Sequence, residues 1–213
     1  MTAQPPITQR PLETFLDELA SGAPTPGGGS AAAVMGAMGA ALLSMVCNVT
    51  IGKKGHEAVE SDMKAMRGES ERLRALLTAM VADDVAAFDG LMAAYRLPKA
   101  SEQERSRRAE SIQSNLRAAT ETPLACARAC AEVVALSRRA AEKGFAGVVS
   151  DAGVGVLAAN SALRSAALNV YINAPSLKDR AYATAATAEI EQLLERCARE
   201  SEAVFELVRS RLG

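Results

Sequence analysis

Tryptophan is absent from this sequence of 213 residues, and aromatic residues make up only 3% of it. Hydrophobic residues still account for 49%, so the core has to be filled by small and aliphatic side chains. Alanine has the highest helix propensity and lets helices approach closely. No segment alternates apolar and polar residues as a strand does. The composition predicts an all-α protein, and we interpret residues 1–213 as one domain, an elongated helical bundle of about five to six helices.

The sequence also lacks an excess of either charge and a set of metal ligands. Its formal net charge of −1 gives no basis for general binding to nucleic acid. The four cysteines form no CxxC pair, and the single histidine, His56, is distant in sequence. Cys126 and Cys130 alone make an incomplete zinc site. We predict no metal, no cofactor, buried reduced cysteines and an ordinary surface position for His56.

A signal peptide is also missing, because MTAQPPITQR lacks the basic and then apolar pattern of a leader. This predicts a cytoplasmic protein. Residues 27–51 carry no charge and are long enough to span a membrane. They are mostly alanine, glycine and methionine, so the alternative is a central helix, from about Ser30 to Ile51, buried on all sides. We favour the buried helix and predict that the protein does not bind a membrane.

Periodicity and helix-breaking residues place the other helices. We predict a short helix over PLETFLDELASG, a long one from about Glu57 to Arg96, a helical region from about Ser101 that is interrupted at Pro123, a helix from about Asp151 to Asn173, and a final helix carrying Ile190 and Leu194. The interruption is expected because proline has no N–H to donate within a helix. In the long run, mostly apolar residues recur at alternating threes and fours from Val59 to Tyr95 and form a seam.

Asp84 is unusual because it occupies a position in this seam, one heptad after Leu77 and one before Leu91. Carboxylates are seldom buried unless they are paired or functional, so Asp84 is a candidate general base. Asp83 lies about 100° around the helix and is expected to be solvated. Two structural alternatives remain open: the seam opens at a bundle end, or Asp84 pairs with a cation.

A glycine-rich segment, PTPGGGS, precedes the central helix. It lacks the lysine of a Walker loop. Glycines let backbone N–H groups approach a ligand, and a helix N-terminus favours an anion. Gly27, Gly28, Gly29 and Ser30 are therefore candidate binding residues, with Ser30 as a helix cap. The alternative is a flexible loop before a capped helix.

A polar stripe runs down the fifth helix at four-residue spacing, formed by Ser161, Ser165, Asn169 and Asn173. Amides suit the edge of a heterocycle, which makes the two asparagines candidate substrate ligands. The alternative is hydrogen bonding to a neighbouring helix. Further candidates lie at helix ends, where cations and caps are also favoured for structural reasons: Lys53, Lys54, Arg96, Lys99, Ser150 and Asp151.

Taken in order, PTPGGGSAAAVMGAMGAALLSMVCNVTIGKK, DDVAAF, RLPK, SDAGVG and NVYIN resemble the formiminotransferase-cyclodeaminase C-terminal domain family. Its stand-alone bacterial members include methenyltetrahydrofolate cyclohydrolases. The resemblance implies an all-helical homodimer, a folate substrate and Asp84, in DVAAF, as the catalytic aspartate. It also implies that the glycine loop and the two lysines form the wall of a soluble site and place the anionic glutamate of the folate.

We therefore predict the reversible hydrolysis of 5,10-methenyltetrahydrofolate to 10-formyltetrahydrofolate, with Asp84 as the base. The first alternative is a formiminotetrahydrofolate cyclodeaminase, which releases ammonia. We prefer the cyclohydrolase because the sequence carries no formiminotransferase portion to supply the other substrate. The second alternative is a non-enzymatic helical scaffold dimer, which leaves Asp84 and the asparagine stripe unexplained.

Overall fold

The computed structural model describes residues 6–212, which form six α-helices and contain no strand. The helices are α1 (Leu12–Ala20), α2 (Gly28–Thr50), α3 (Glu60–Arg96), α4 (Glu102–Lys143), α5 (Val149–Asn173) and α6 (Arg180–Leu212). The all-helical prediction is confirmed. The ends of the predicted domain, including the first half of MTAQPPITQR, lie outside the described residues.

Helix α2 is the centre of the bundle and packs against α3, α4 and α5. Its contact with α5 is very close, since a β-carbon on Gly39 would lie 2.8 Å from the carbonyl oxygen of Gly155. Within one chain α2 is not buried on all sides, and its burial in a homodimer stays a prediction. Met38 is 57% exposed, and Met45 and Val49 are also exposed.

Two segments, Gly28–Thr50 and Ala146–Ser176, are long and apolar enough to cross a membrane by length and composition alone. About half of the apolar stretch is buried inside the bundle in each, 56% and 44%. The buried hydroxyls of α2 have protein partners: Ser44 shares a hydrogen bond of 2.8 Å with Ser70, and Thr50 donates to the carbonyl of Val46. These are properties of the core helices of a bundle.

Helix α3 contains the predicted seam. Met63, Met66, Leu73 and Leu77 are fully buried, which confirms the first half of the seam. The helix has 37 residues, so it is about 55 Å long at 1.5 Å per residue. Beyond Val81 the seam is less covered: Asp84 and Phe88 are half-buried and Tyr95 is exposed, although Leu91 is buried.

The predicted interruption at Pro123 is wrong, because α4 continues through it. A proline inside a helix leaves the carbonyl four residues earlier, here Ala119, without its N–H donor. Asn173 on α5 replaces that donor, and its Nδ2 lies 2.8 Å from the Ala119 oxygen. Because the lost hydrogen bond is supplied by a neighbouring helix, α4 does not have to end at Pro123.

The apolar interior is divided into two clusters. The larger one contains residues from all six helices. The smaller one, which we call the floor cluster, consists of Leu91, Leu116, Ala119, Ala174, Leu177 and Ala183. It joins the end of α3, the first half of α4 and the turn between α5 and α6. The bundle therefore has a main core and a separate small core at one end.

The cysteine prediction is confirmed, since Cys47, Cys126, Cys130 and Cys197 are all free and buried. Burial raises the pKa of the Cys47 thiol to about 11. The prediction for His56 is wrong. Its ring is half-buried and packs edge-on against Phe145, with 5.7 Å between the ring centroids.

Candidate functional site

Asp84 lies on α3 where the first turn of α2 crosses it. Ser30 is fully buried and donates its hydroxyl to Asp84 Oδ2 at 2.7 Å. The prediction that Ser30 caps α2 is therefore wrong: the N-cap residue is Gly27, and Ser30 lies inside the helix. The carboxylate is half-buried, accepts a hydrogen bond from a hydroxyl on one side and lies next to the N-terminus of α2.

Gly29 makes this approach possible. A β-carbon at that position would lie 2.6 Å from Asp84 Cγ and closer still to Oδ1. The other two glycines of PGGGS are not under the same constraint. A β-carbon on Gly28 would meet nothing within 4 Å, and one on Gly27 would be 3.7 Å from the nearest atom. Of the three glycines, only Gly29 is required by the position of the carboxylate.

Asp84 forms part of the wall of a cavity of about 360 Å³, a size within the range of small-ligand sites. The wall is mostly apolar, with side chains of Phe88, Leu91, Met92, Tyr95, Leu116 and Ile172. Its polar residues are Asp84, Thr122, Asn169, Asn173 and Ser176. The floor cluster lies beneath it, through Leu91, Leu116 and Ala119. The cavity can hold a flat ring system and presents few polar groups to it.

The two asparagines predicted from the polar stripe lie in this wall together with Asp84. Asn169 Nδ2 donates to the carbonyl of Ser165 at 3.1 Å, and Asn173 Nδ2 donates to that of Ala119 on α4. Ser165 donates back to Ser161 within the same helix. The structural alternative for the stripe, a bond to a neighbouring helix, therefore applies to Asn173.

The structure does not bring the lysines to Asp84. Lys53 and Lys54 follow the other end of α2, about 35 Å from its first turn by the length of a 23-residue helix. Both are exposed, and Lys53 Nζ lies 3.9 Å from the centroid of the Phe145 ring.

Ser150 and Asp151 lie at the same end as the lysines, because α5 runs antiparallel to α2. Neither caps α5, whose N-cap residue is Val148, so that alternative is wrong. Arg96 is the last residue of α3 and Lys99 lies just beyond it, and both are exposed at the cavity end of the bundle. In one chain, the predicted site residues thus form two groups at opposite ends.

Thr122 and Ser176 were not predicted, although both line the cavity. Ser176 lies in a short 3₁₀ turn, and no periodicity identifies such a residue. Thr122 directly precedes Pro123 and was therefore expected at a helix break, so no sequence pattern placed it in the wall of a cavity.

Comparisons with known proteins identify relatives of this chain. A family profile described as Formiminotransferase-cyclodeaminase matches residues 11–192. A methenyltetrahydrofolate cyclohydrolase from Methylorubrum extorquens is 56% identical over 202 residues, which cover 95% of this chain and 97% of that protein. A formimidoyltransferase-cyclodeaminase from Sus scrofa is 32% identical over 96% of this chain, but only 38% of that protein is covered. A solved structure of a formiminotetrahydrofolate cyclodeaminase from Thermotoga maritima matches with a TM-score of 0.79 and 28% identity, over 97% of this chain and 98% of that one.

Proposed function

Because this chain belongs to the formiminotransferase-cyclodeaminase family, we propose that it is a methenyltetrahydrofolate cyclohydrolase, which converts 5,10-methenyltetrahydrofolate reversibly to 10-formyltetrahydrofolate. The observation that carries this proposal is the carboxylate of Asp84, held by Ser30 in the wall of a largely apolar cavity. The relative that is 56% identical and similar in length has this activity in its name.

The chemistry needs one base and a site for a cation. The substrate carries an amidinium carbon between N5 and N10, to which water adds while Asp84 takes one of its protons. The hydroxyl group of the tetrahedral intermediate then loses its proton as the formyl C=O forms, the carbon–N5 bond breaks, N5 accepts one proton, and the formyl group stays on N10. The reaction consumes one water and releases one proton. The negative charge of Asp84 also favours the cationic substrate in an apolar surrounding.

The position of Asp84 suits this role. Its hydrogen bond from Ser30 engages Oδ2 and leaves Oδ1 for the attacking water. The side chain is half-buried, so water reaches it from the cavity. Phe88 and Leu91, one and two turns further along α3, supply apolar surface for the rings of the substrate.

The second candidate is formiminotetrahydrofolate cyclodeaminase, which the Thermotoga maritima structure favours. In that reaction N10 attacks the formimino carbon and ammonia leaves, through a tetrahedral carbon that bridges N5 and N10 as before. One preparation should be tested for loss of the methenyltetrahydrofolate absorbance above the spontaneous rate, and for ammonia release from formiminotetrahydrofolate. We expect the first activity to dominate. Ammonia release alone would establish the cyclodeaminase. The absence of both activities would favour a scaffold.

We further propose that the protein is a homodimer. The exposed face of α2 carries Met38, Met45 and Val49, and α5 beside it exposes Val154 and Leu168. A large exposed apolar surface is unusual on a monomer. A second copy covers it without lipid, and the close packing of α2 on α5 makes the surface rigid. Light scattering should show a dimer at micromolar concentration, and recovery of the protein in the membrane fraction would contradict the proposal.

A dimer would also bring the lysine end of one copy close to the cavity end of the other. A two-fold axis perpendicular to α2 reverses its direction, so the lysine end of one copy lies beside the glycine loop of the other. We propose that Lys53 and Lys54 act on the glutamate tail of a folate bound at the partner's Asp84. Interaction with a remote tail is similar in the ground and transition states, so it affects KM more than kcat.

Charge reversal tests this arrangement. Lys53→Glu with Lys54→Glu is expected to raise KM at least about tenfold with little change in kcat, because like charges would face the tail. When this variant is refolded together with Asp84→Asn, each mixed dimer should regain one complete site. Random pairing then restores about a quarter of the wild-type kcat/KM.

The control for this mixture is each variant refolded by itself at the same total concentration. Failure of the mixture to exceed the mean of the two parents would contradict action between subunits. In that case Arg96 and Lys99, at the cavity end of the same chain, are the cations to reverse next.

A further inference from the structure

The hydrogen bond between Asn173 and Ala119 determines which end of the Asn173 amide is available to a ligand. Ala119 O is an acceptor, and only the NH₂ group of the amide can bond to it at 2.8 Å. The carbonyl of Ser165 orients Asn169 in the same way, at 3.1 Å. Flipping either amide would place two carbonyl oxygens against each other. Each side chain is therefore held by one N–H of its amide, and its oxygen is the acceptor that remains for a ligand.

Pro123 is the cause of this orientation at Asn173. With any other residue at 123, the backbone N–H would bond to the Ala119 carbonyl within α4, and Asn173 would have no acceptor that requires its nitrogen. Pro123 is buried and does not line the cavity, whereas Ala119 and Asn173 do. Pro123 thus affects the cavity through Asn173.

We propose that Pro123 is a positioning residue that fixes Asn173 so that its Oδ1, with that of Asn169, forms a pair of hydrogen-bond acceptors for the pterin ring. The two side chains are one helical turn apart on one face of α5, with β-carbons about 6 Å from each other. A reduced pterin offers two donors on one edge, the 2-amino group and N8–H, which lie on either side of N1. This edge is remote from the carbon between N5 and N10, so its recognition leaves that carbon for Asp84.

The inference rests on the proposed folate substrate and predicts a selectivity. The probes are tetrahydrofolate and two analogues, one without the 2-amino group and one with a methylene in place of N8–H, with Kd measured by calorimetry. Loss of one neutral hydrogen bond changes affinity by about 3- to 10-fold, so the wild type should bind each analogue that much more weakly than the parent. In Asn169→Ala and Asn173→Ala, the preference against one analogue should disappear.

Pro123→Ala separates orientation from contact. It restores the N–H to Ala119, frees the Asn173 amide and changes no residue of the cavity wall. We expect the same loss of selectivity as in Asn173→Ala, without loss of thermal stability. In the Pro123→Ala background, Asn173→Ala should also lower Tm less than it does in the wild type, because Ala119 O is already paired. Asn115→Ala is the control. Like Asn169, Asn115 donates to the carbonyl four residues earlier, but it does not line the cavity.

The outcomes distinguish this inference from the proposed function. Equal affinity of the wild type for all three probes, or unchanged selectivity in Asn173→Ala and Pro123→Ala, overturns the acceptor pair even if the protein is an active cyclohydrolase. Selective binding without hydrolysis supports the acceptor pair and contradicts the cyclohydrolase. No binding of tetrahydrofolate contradicts both.

Discussion

Asp84→Asn is expected to lower kcat by about 10²- to 10⁴-fold while the protein stays folded, because it removes the general base. The amide has nearly the same volume as the carboxyl group, and its oxygen can still accept the hydrogen bond from Ser30 that Oδ2 accepts at 2.7 Å. The geometry of the site is therefore kept, and the chemistry is lost. Steady-state kinetics with methenyltetrahydrofolate, with circular dichroism as the folding check, measures this effect.

Asp83→Asn is the matched control. Asp83 is the preceding residue on α3 and is exposed, so the same change there should have little effect on kcat. If Asp84→Asn retained near-normal kcat, Asp84 would not be the base. If Asp83→Asn were the inactive variant, the base would be the exposed carboxylate, and the bond from Ser30 would have only a structural role.

Gly29→Ala is expected to reduce kcat by about 10²-fold or more, since displacing a catalytic group by about 1 Å has an effect of that size. The added methyl group would lie 2.6 Å from Asp84 Cγ, so the carboxylate has to rotate away or the first turn of α2 has to move. Either change breaks the hydrogen bond from Ser30. Overpacking also destabilises the fold, by roughly 1–3 kcal/mol. Kinetics and thermal unfolding of the same sample measure the two effects.

Gly28→Ala provides the comparison at the neighbouring position. Its β-carbon would meet nothing within 4 Å, and alanine is favoured over glycine in a helix by about 1 kcal/mol. This variant should be active and slightly more stable. Equal activities of the two alanine variants would show that the approach of Asp84 to α2 does not matter for catalysis.

The buried half of α3 was predictable because local periodicity and tertiary burial agree there. From Met63 to Leu77 every seam residue faces α2 or α4, so the pattern of the sequence is also the pattern of contacts. Asp84 is only half-buried because α2 begins at Gly28 and covers α3 no further. The position of Asp84 in the seam was identified from sequence, but the burial of its side chain depends on where α2 begins.

Two other features could not be predicted from sequence for physical reasons. Pro123 has a strong local tendency to end a helix, and only a donor 50 residues away, Asn173, offsets it. Lys53 and Lys54 border the same helix as the glycine loop, which suggested a common site. That helix is about 35 Å long, so its two ends cannot contact one small ligand within one chain.

The division of the interior into two cores has a consequence for how the cavity is entered. The floor cluster has only six buried residues, so the end of the bundle that carries the cavity is a smaller cooperative unit than the rest. Segments with little apolar burial open at a lower free energy than the global unfolding of a domain. We therefore expect the wall of the cavity to open at a lower free energy than the main core unfolds. A ligand that binds in the cavity is then expected to stabilise this end of the bundle.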